Sequence, residues 1–323
     1  MKNKYKAAII GAGNMGAFYS PPNSKKGPMT HAHAYKNDKR IKLSAFVDVN
    51  KNKAVKATKV WGGRSYENIT EMFKKEKIDI VSICVPDEIH KNILEACLKY
   101  KPKAVFCEKP LTTDTKSGER LVKEYSKAEI LLAVNYTRRF NKHIIELKKE
   151  IKKSKYGQPL NIIGIYTKGI LHNGSHLIDL LIYLFGEITK MTTLAGRIDW
   201  KKSDPTLDAF LKFKNGPTAH LVAADEHQYS IFDLDLLFEK GRIYLSQFGN
   251  IITYYQTKEQ EKLHRYKIKN TGLKTTIFTA LANLINSLEG KEKLLCSGAD
   301  ALETQKACLK LIEIYKKGNA WKN

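Results

Sequence analysis

Through its first 140 residues the chain alternates short apolar runs with amphipathic stretches. The apolar runs Ala7–Ile10, Lys42–Val47, Ile78–Val85, Ala104–Cys107 and Glu129–Val134 read as strands. Helical periodicity fills the gaps at Lys51–Val60, Ile69–Lys75, His90–Lys99 and Thr115–Ser126. Strands alternating with helices predict a doubly wound α/β domain, a parallel sheet covered on both faces. Ligands of such sheets sit beyond the carboxyl ends of the strands. That rule puts the glycine-rich turn after the first run, Asp48, Val85-Pro86-Asp87 and Glu108-Lys109-Pro110 along one rim.

The pattern changes near residue 140. A helix (Lys142–Lys153) leads to a strand (Leu160–Thr167), and a second helix runs from Ser175 to Phe185. Strands at Phe210–Phe213 and Thr218–Ala223 flank Lys214-Asn215-Gly216-Pro217, a hairpin signal. Period-two alternation continues at Phe232–Leu236 and Gly241–Leu245, and helices at Leu273–Leu288 and Ala299–Tyr315 close the chain. The expected organisation is therefore a nucleotide-binding domain over 1–138 and an α+β domain with an open mixed or antiparallel sheet over 139–323.

The turn after the first strand is Gly11-Ala12-Gly13-Asn14-Met15-Gly16. In a G-x-G-x-x-G placed between strand and helix, the first glycine permits the tight turn. The second lets the backbone approach a pyrophosphate, and the third allows close helix–sheet packing. The second strand ends in Asp48, whose carboxylate can accept hydrogen bonds from the adenosine ribose. Between them lies an interruption, Tyr19–Thr30, with three prolines and a glycine that no helix can continue through. His31 and His33 follow; lacking a third nearby ligand, they read as a surface helix start near the cofactor and not as a metal site.

Composition narrows the function classes. The 323 residues, 42% hydrophobic, suffice for two cores, and no tract is long and apolar enough to span a bilayer. The first residues run straight into a strand, which leaves no room for a signal peptide. Five cysteines, none in a C-x-x-C pair, read as reduced core thiols of a cytoplasmic protein. The net charge of +23 raises nucleic acid as a partner. The lysines, however, are scattered over the length without a recognition-helix, RNA-binding or zinc-finger pattern. They read as a solvated surface that attracts anionic metabolites, with neither nucleic acid nor membrane as partner.

Two segments carry candidate chemistry. Lys109 stands at the carboxyl end of a buried strand, where an ammonium can hydrogen-bond a substrate hydroxyl and favour its developing negative charge. Gly174 and Ser175 suit a helix start, which puts His176 in the first turn with Asp179 three residues on, on the same face. A histidine there can relay a proton near neutral pH. Around His172 and His176 nothing resembles H-E-x-x-H, because Asn173 stands where that motif has Glu, so no metal is expected.

Taken in order, these motifs resemble the glucose-fructose oxidoreductase, inositol dehydrogenase and rhizopine catabolism (Gfo/Idh/MocA) family. The match runs through the glycine loop, Asp48, Val85-Pro86 with His90, Glu108-Lys109-Pro110, Asn135–Phe140 and Gly174–Asp179. The resemblance implies a Rossmann domain plus an α/β domain whose open sheet often forms a homodimer or homotetramer interface. It also implies oxidation or reduction of a ring carbon in a sugar, cyclitol or nucleotide-linked sugar. The cofactor contacts it implies are Gly11, Gly13, Asn14, Met15, Gly16, Asp48, Val85, Pro86, His90, Glu108, Lys109 and Asn135. Its substrate contacts are Lys109, Arg138, Asn173, His176 and Asp179, with Lys109 and His176 catalytic. Where the family commonly has Asp four residues before the histidine, this chain has His172, so either His176 or His172 serves as the base. Asp48 would repel a 2′-phosphate, which favours NAD over NADP. An NAD-dependent glycosidase and a non-catalytic ligand sensor are the alternatives on the same fold.

Overall fold

The structure, a computed structural model, describes residues 4–24, 27–214, 216–258 and 262–318. Lys25 and Lys26 of the proline-rich interruption, Asn215 of the hairpin turn and the first three residues lie outside the described residues. The chain forms two compact units, one of 1–140 and 274–302, the other of 141–273 and 303–323.

In the first unit, strands β1 (Tyr5–Ile10), β2 (Ile41–Val47), β3 (Arg64–Tyr66), β4 (Ile80–Ile83), β5 (Ala104–Cys107) and β6 (Leu131–Val134) make one sheet in the order 3-2-1-4-5-6. Every pairing is parallel. The apolar runs at Ala7–Ile10, Ile80–Ile83 and Ala104–Cys107 are buried at every position, as a sheet covered on both faces requires. The covering helices include α1 (His31–Asn37), α2 (Lys51–Trp61), α3 (Ile69–Lys75), α4 (His90–Tyr100) and α5 (Thr115–Lys127). Four of them start where a short polar side chain accepts an amide of the first turn. Thr30 accepts from His33, Asn50 from Lys53, Asn68 from Glu71 and Asp114 from Ser117. The strand order reverses between β1 and β4, which makes their carboxyl ends the switch point where ligands bind.

The second unit holds α6 (Lys142–Lys152), β7 (Pro159–Tyr166), α7 (Ser175–Phe185) and seven more strands. These are β8 (Ile188–Lys201), β9 (Asp204–Phe213), β10 (Thr218–Ala223), β11 (Phe232–Phe238), β12 (Gly241–Ser246), β13 (Ile251–Lys258) and β14 (Lys262–Asn270). They form a mixed eight-stranded sheet, β14-β13-β12-β11-β7-β10-β9-β8, in which only β7 and β10 run parallel. Inward side chains such as Ile162, Leu211, Leu221, Leu234 and Ile243 share a core with Leu177, Ile178 and Leu181 of α7.

Two helices close the chain, α8 (Thr276–Leu288) and α9 (Gly298–Lys316). Ile277, Leu281, Leu284 and Ile285 of α8 join the core of the first unit, although the segment follows the second in sequence. A single cut after residue 138 therefore does not describe the packing: 274–302 belongs with the parallel sheet. The later part of α9 contributes Cys308 and Leu311 to the second core. All five cysteines are free thiols, four of them buried. No described helix is long and apolar enough to cross a membrane.

Candidate active site

The glycine turn departs from β1 with a hydrogen bond from the Gly11 amide to the Val47 carbonyl, 2.8 Å. Gly11 has φ +95°, and a Cβ there would lie 2.4 Å from the Cys84 carbonyl oxygen. At Gly16 a Cβ would fall 2.0 Å from the Gly11 oxygen, so both positions demand glycine for packing. Gly13 differs, because nothing approaches within 4 Å of its would-be Cβ. Its backbone faces an open space, as a loop awaiting a pyrophosphate would. The segment Asn14–Phe18 is a single π-helical turn, so the helix expected after the glycines is cut short before the proline-rich interruption. Five residues build little macrodipole, so any phosphate there is held by individual amides.

Asp48 stands beside this loop. One carboxylate oxygen accepts the Ala12 amide and the other the Asn50 amide, both at 2.9 Å. The proline-rich interruption is pinned at its base by Ser20, whose hydroxyl accepts the Met29 amide (2.9 Å) and meets His33 Nδ1 (3.1 Å). It leads into α1 with His31 and His33 buried, 1% and 5% exposed, which corrects the expectation of a surface helix start. Burial holds the His33 imidazole below its ordinary pKa.

His31 is the larger surprise, because it ties α1 to the lysine motif. Its Nε2 lies 2.9 Å from Glu108 Oε1 and its Nδ1 2.8 Å from the Ser82 hydroxyl, which Tyr35 meets at 2.7 Å. A carboxylate only accepts, so the His31 Nε2 proton points at Glu108 and Nδ1 is free to accept from Ser82. Asn135 Nδ2 donates to the same Glu108 oxygen at 2.8 Å. Burial alone would raise the Glu108 pKa. The His31 and Asn135 hydrogen bonds, with the nearby Lys109 charge, outweigh it and hold the carboxyl below its ordinary value. A carboxyl with a depressed folded pKa contributes stability above its unfolded value, near 4.5, and loses it as pH falls. Glu108→Gln is therefore expected to lower the urea midpoint at pH 7 and to approach wild type at pH 4. A gap that stays constant between those two pH values would show that Glu108 is not ionised in the fold.

Lys109 follows Glu108, is half-buried, and precedes Pro110 through a cis peptide bond. His90, expected on the cofactor, is fully buried. Its nitrogens face the Pro110 carbonyl (2.7 Å) and the Val85 carbonyl (3.1 Å), so it straps the turn after β4 to the turn after β5. Asn135 ends this rim; it is 2% exposed, and its Oδ1 has no hydrogen-bond partner. A buried acceptor left unmatched is costly, so a donor belonging to a bound group suits this position. Arg138 lies buried in the short helical turn Thr137–Phe140, next to Arg139, which pairs with Asp300 at 3.0 Å.

In the second unit the candidate histidines sit where a π-helical turn, Gly169–Gly174, enters α7. Buried acids from β8 and β9 hold that turn. Asp204 accepts the Leu171 and His172 amides at 2.7 and 3.0 Å, while Asp199 accepts the Lys168 amide at 3.0 Å and the Thr206 hydroxyl. At Gly169, φ +77°, a Cβ would fall 2.2 Å from Asp204 Oδ2. Burial raises the Asp199 pKa, but the Thr206, Lys168 and Glu226 hydrogen bonds prevail and lower it. His172, Asn173 and His176 are half-buried. The His172 ring lies 5.7 Å from that of Trp200. Asp179 is 1% exposed and accepts the Thr304 hydroxyl of α9 at 3.1 Å. Among the described residues no three His, Cys, Asp or Glu side chains are arranged to hold a metal ion.

Sequence reasoning missed His31, Ser82, Asp199 and Asp204. Each acts through contacts far apart in sequence, such as the 77 residues between His31 and Glu108.

Comparison with known proteins matches residues 5–136 to the model of an oxidoreductase family with an NAD-binding Rossmann fold, and residues 146–244 to the GFO/IDH/MocA C-terminal domain. The chain is 25% identical over 227 residues to the myo-inositol 2-dehydrogenase of Thermotoga maritima, 63% of this chain and 67% of that protein. For a second inositol dehydrogenase the matched share is 54% of its length. The fold is shared with the WlbA dehydrogenase from Bordetella pertussis, solved with NADH and UDP-GlcNAcA (TM-score 0.80, 17% identity, 98% and 97% of the two chains). It is shared also with the UDP-N-acetylglucosamine 3-dehydrogenase GnnA from Acidithiobacillus ferrooxidans (TM-score 0.78, 17% identity, 97% and 98%).

Proposed function

Because the chain belongs to the GFO/IDH/MocA family of NAD-binding oxidoreductases, we propose that it oxidises or reduces a ring CH–OH of a sugar, cyclitol or nucleotide-linked sugar. The observation that carries this reading is the rim of the first unit. There an open glycine loop, the Asp48 carboxylate, the unmatched Asn135 oxygen and Lys109 all follow carboxyl ends of the parallel strands. The open space at Gly13 and the orphaned acceptor fit a dinucleotide. When bound, NAD accepts or supplies the hydride.

The chain's own residues do the rest. Gly13, Asn14, Met15 and Gly16 present amides to the pyrophosphate. Gly11, whose own amide is bonded to Val47, makes the turn that brings them there, and Val85 and Pro86 line the turn after β4. Lys109 donates to the reacting oxygen and stabilises its developing charge. Glu108, kept ionised by His31 and Asn135, favours the charged ammonium beside it. His176, or His172, moves the hydroxyl proton, while Arg138 and Asn173 orient the substrate. Asp179, buried against Thr304, positions α7 and with it His176. The NAD preference rests on Asp48. Asp48→Ala should cut the NAD-over-NADP ratio of kcat/KM about tenfold, through relief of charge repulsion with a 2′-phosphate; an unchanged ratio would remove that role.

The chain acts as a homodimer or homotetramer in this reading. The face of the eight-stranded sheet away from α7 exposes Ile163 (37%) and Val222 (40%) on neighbouring strands. Light scattering that returns a single chain mass at working concentrations would refute it. The reaction itself is tested by screening free and nucleotide-linked sugars for NADH fluorescence in both directions. Sugar released without net NADH would replace this reading with the glycosidase, and saturable binding without turnover with the sensor.

A further inference from the structure

The lysines that look scattered along the sequence are gathered by the topology. In a parallel sheet all strands start at one edge, and here β2, β1, β4 and β5 are neighbours. Their starts carry Lys39, Arg40 and Lys42, then Lys4 and Lys6, then Lys77, then Lys103. These side chains line one groove of about 1120 Å³, at the opposite end of the sheet from the glycine loop. Its two carboxylates are already engaged. Asp79 pairs with Lys103 at 3.0 Å and accepts the Lys6 amide, and Glu289 sits 3.7 Å from Arg40 and 2.6 Å from Lys291. Among the described residues Lys4, Lys6, Lys39, Lys42 and Lys77 make no ion pair. Lys6 and Lys42 are even register partners on adjacent strands, so their side chains share a face. Like charges in that relation destabilise a sheet. A concave site that concentrates cations at a cost to the fold is built to receive negative charge.

We propose that this groove binds a small anion carrying several phosphate groups, at a site separate from the dinucleotide loop. Four strands about 4.8 Å apart give a line of cations roughly 14 Å across, the length of a few linked phosphates and too short a track for a nucleic acid duplex. Lysine ammoniums, compact charges with three rotatable donors, suit phosphates without demanding the planar fork geometry that arginine imposes. The groove lies away from the rim assigned to catalysis, so its ligand would modulate or tether the protein without being its substrate.

The test is calorimetric titration of the NAD-saturated protein with sodium tripolyphosphate at 150 mM salt, an ionic strength of about 0.15 M that screens weak surface association. One site per chain is expected, at least about tenfold tighter than for orthophosphate, because only the longer anion spans several ammoniums. The triple variant Lys6→Gln, Lys42→Gln, Lys77→Gln should weaken it about tenfold, with Lys77→Glu alone as a second probe should the triple variant fold poorly. A control at the end of α6, Lys149→Gln, Lys152→Gln and the capping Lys153→Gln, should change it less than about twofold if binding is local and not a response to net charge. The proposal is overturned by equal losses in both triple variants, by tripolyphosphate binding that NAD abolishes, or by an absence of saturable binding. Tighter groove-dependent binding of a single-stranded oligonucleotide would overturn it in favour of nucleic acid.

Discussion

Lys109→Ala is expected to lower kcat by about two to three orders of magnitude, the usual cost of removing a donor aimed at developing charge. NAD affinity, read by fluorescence titration, should remain within about twofold, because the glycine loop and Asp48 supply most cofactor contacts. The reason for this split lies in how the motif is built. Glu108 is fixed by His31 and Asn135, and His90 grips the Pro110 carbonyl, so the backbone around residue 109 is held without the lysine side chain. Truncation should then remove an ammonium from a frame that stays in place. Joint loss of turnover and cofactor binding would assign Lys109 a structural role. Retained turnover would end its assignment to chemistry.

The elements that sequence patterning recovers are those whose burial is uniform or regularly periodic. The parallel strands are buried at nearly every position, and α3, α7 and β10 match their predicted spans residue for residue. The strands it misses have another character. β14 is largely exposed and rich in lysine, β8 mixes exposed Thr189, Lys190 and Arg197 with scattered apolar residues, and β3 has three residues. β13 is missed as well, although Ile252, Thr253 and Tyr254 are buried. Their pairing comes from neighbours, which a single chain's local pattern does not encode. The site divides the same way. Glycines, Asp48, Lys109 and His176 are legible because each is a residue type demanded at one position of a motif. The acids that hold the histidine turn, Asp199 and Asp204, look like ordinary hairpin residues until folding sets them against the amides of 168–172. His31 hides for a different reason. The proline-rich interruption separates it from the glycine loop and makes a buried helix start resemble a surface one.

The two outer glycines and the middle one of the loop should fail in different ways. Gly11→Ala puts a Cβ 2.4 Å from the Cys84 oxygen at a backbone φ of +95°. Left-handed strain and overpacking together should cost about 2–4 kcal/mol, visible as a lower denaturation midpoint even without cofactor. Gly13→Ala meets nothing within 4 Å and sits at φ −85°, a conformation that alanine adopts. Its stability should stay within about 0.5 kcal/mol of wild type, as for an uncrowded substitution. NAD affinity should nonetheless fall at least about tenfold, because the new methyl occupies the space through which the pyrophosphate reaches the amides. The pair separates what the loop needs in order to fold from what it needs in order to bind. If Gly13→Ala binds NAD as well as wild type does, the diphosphate does not approach the backbone at that residue, and the open space beside it serves some other group.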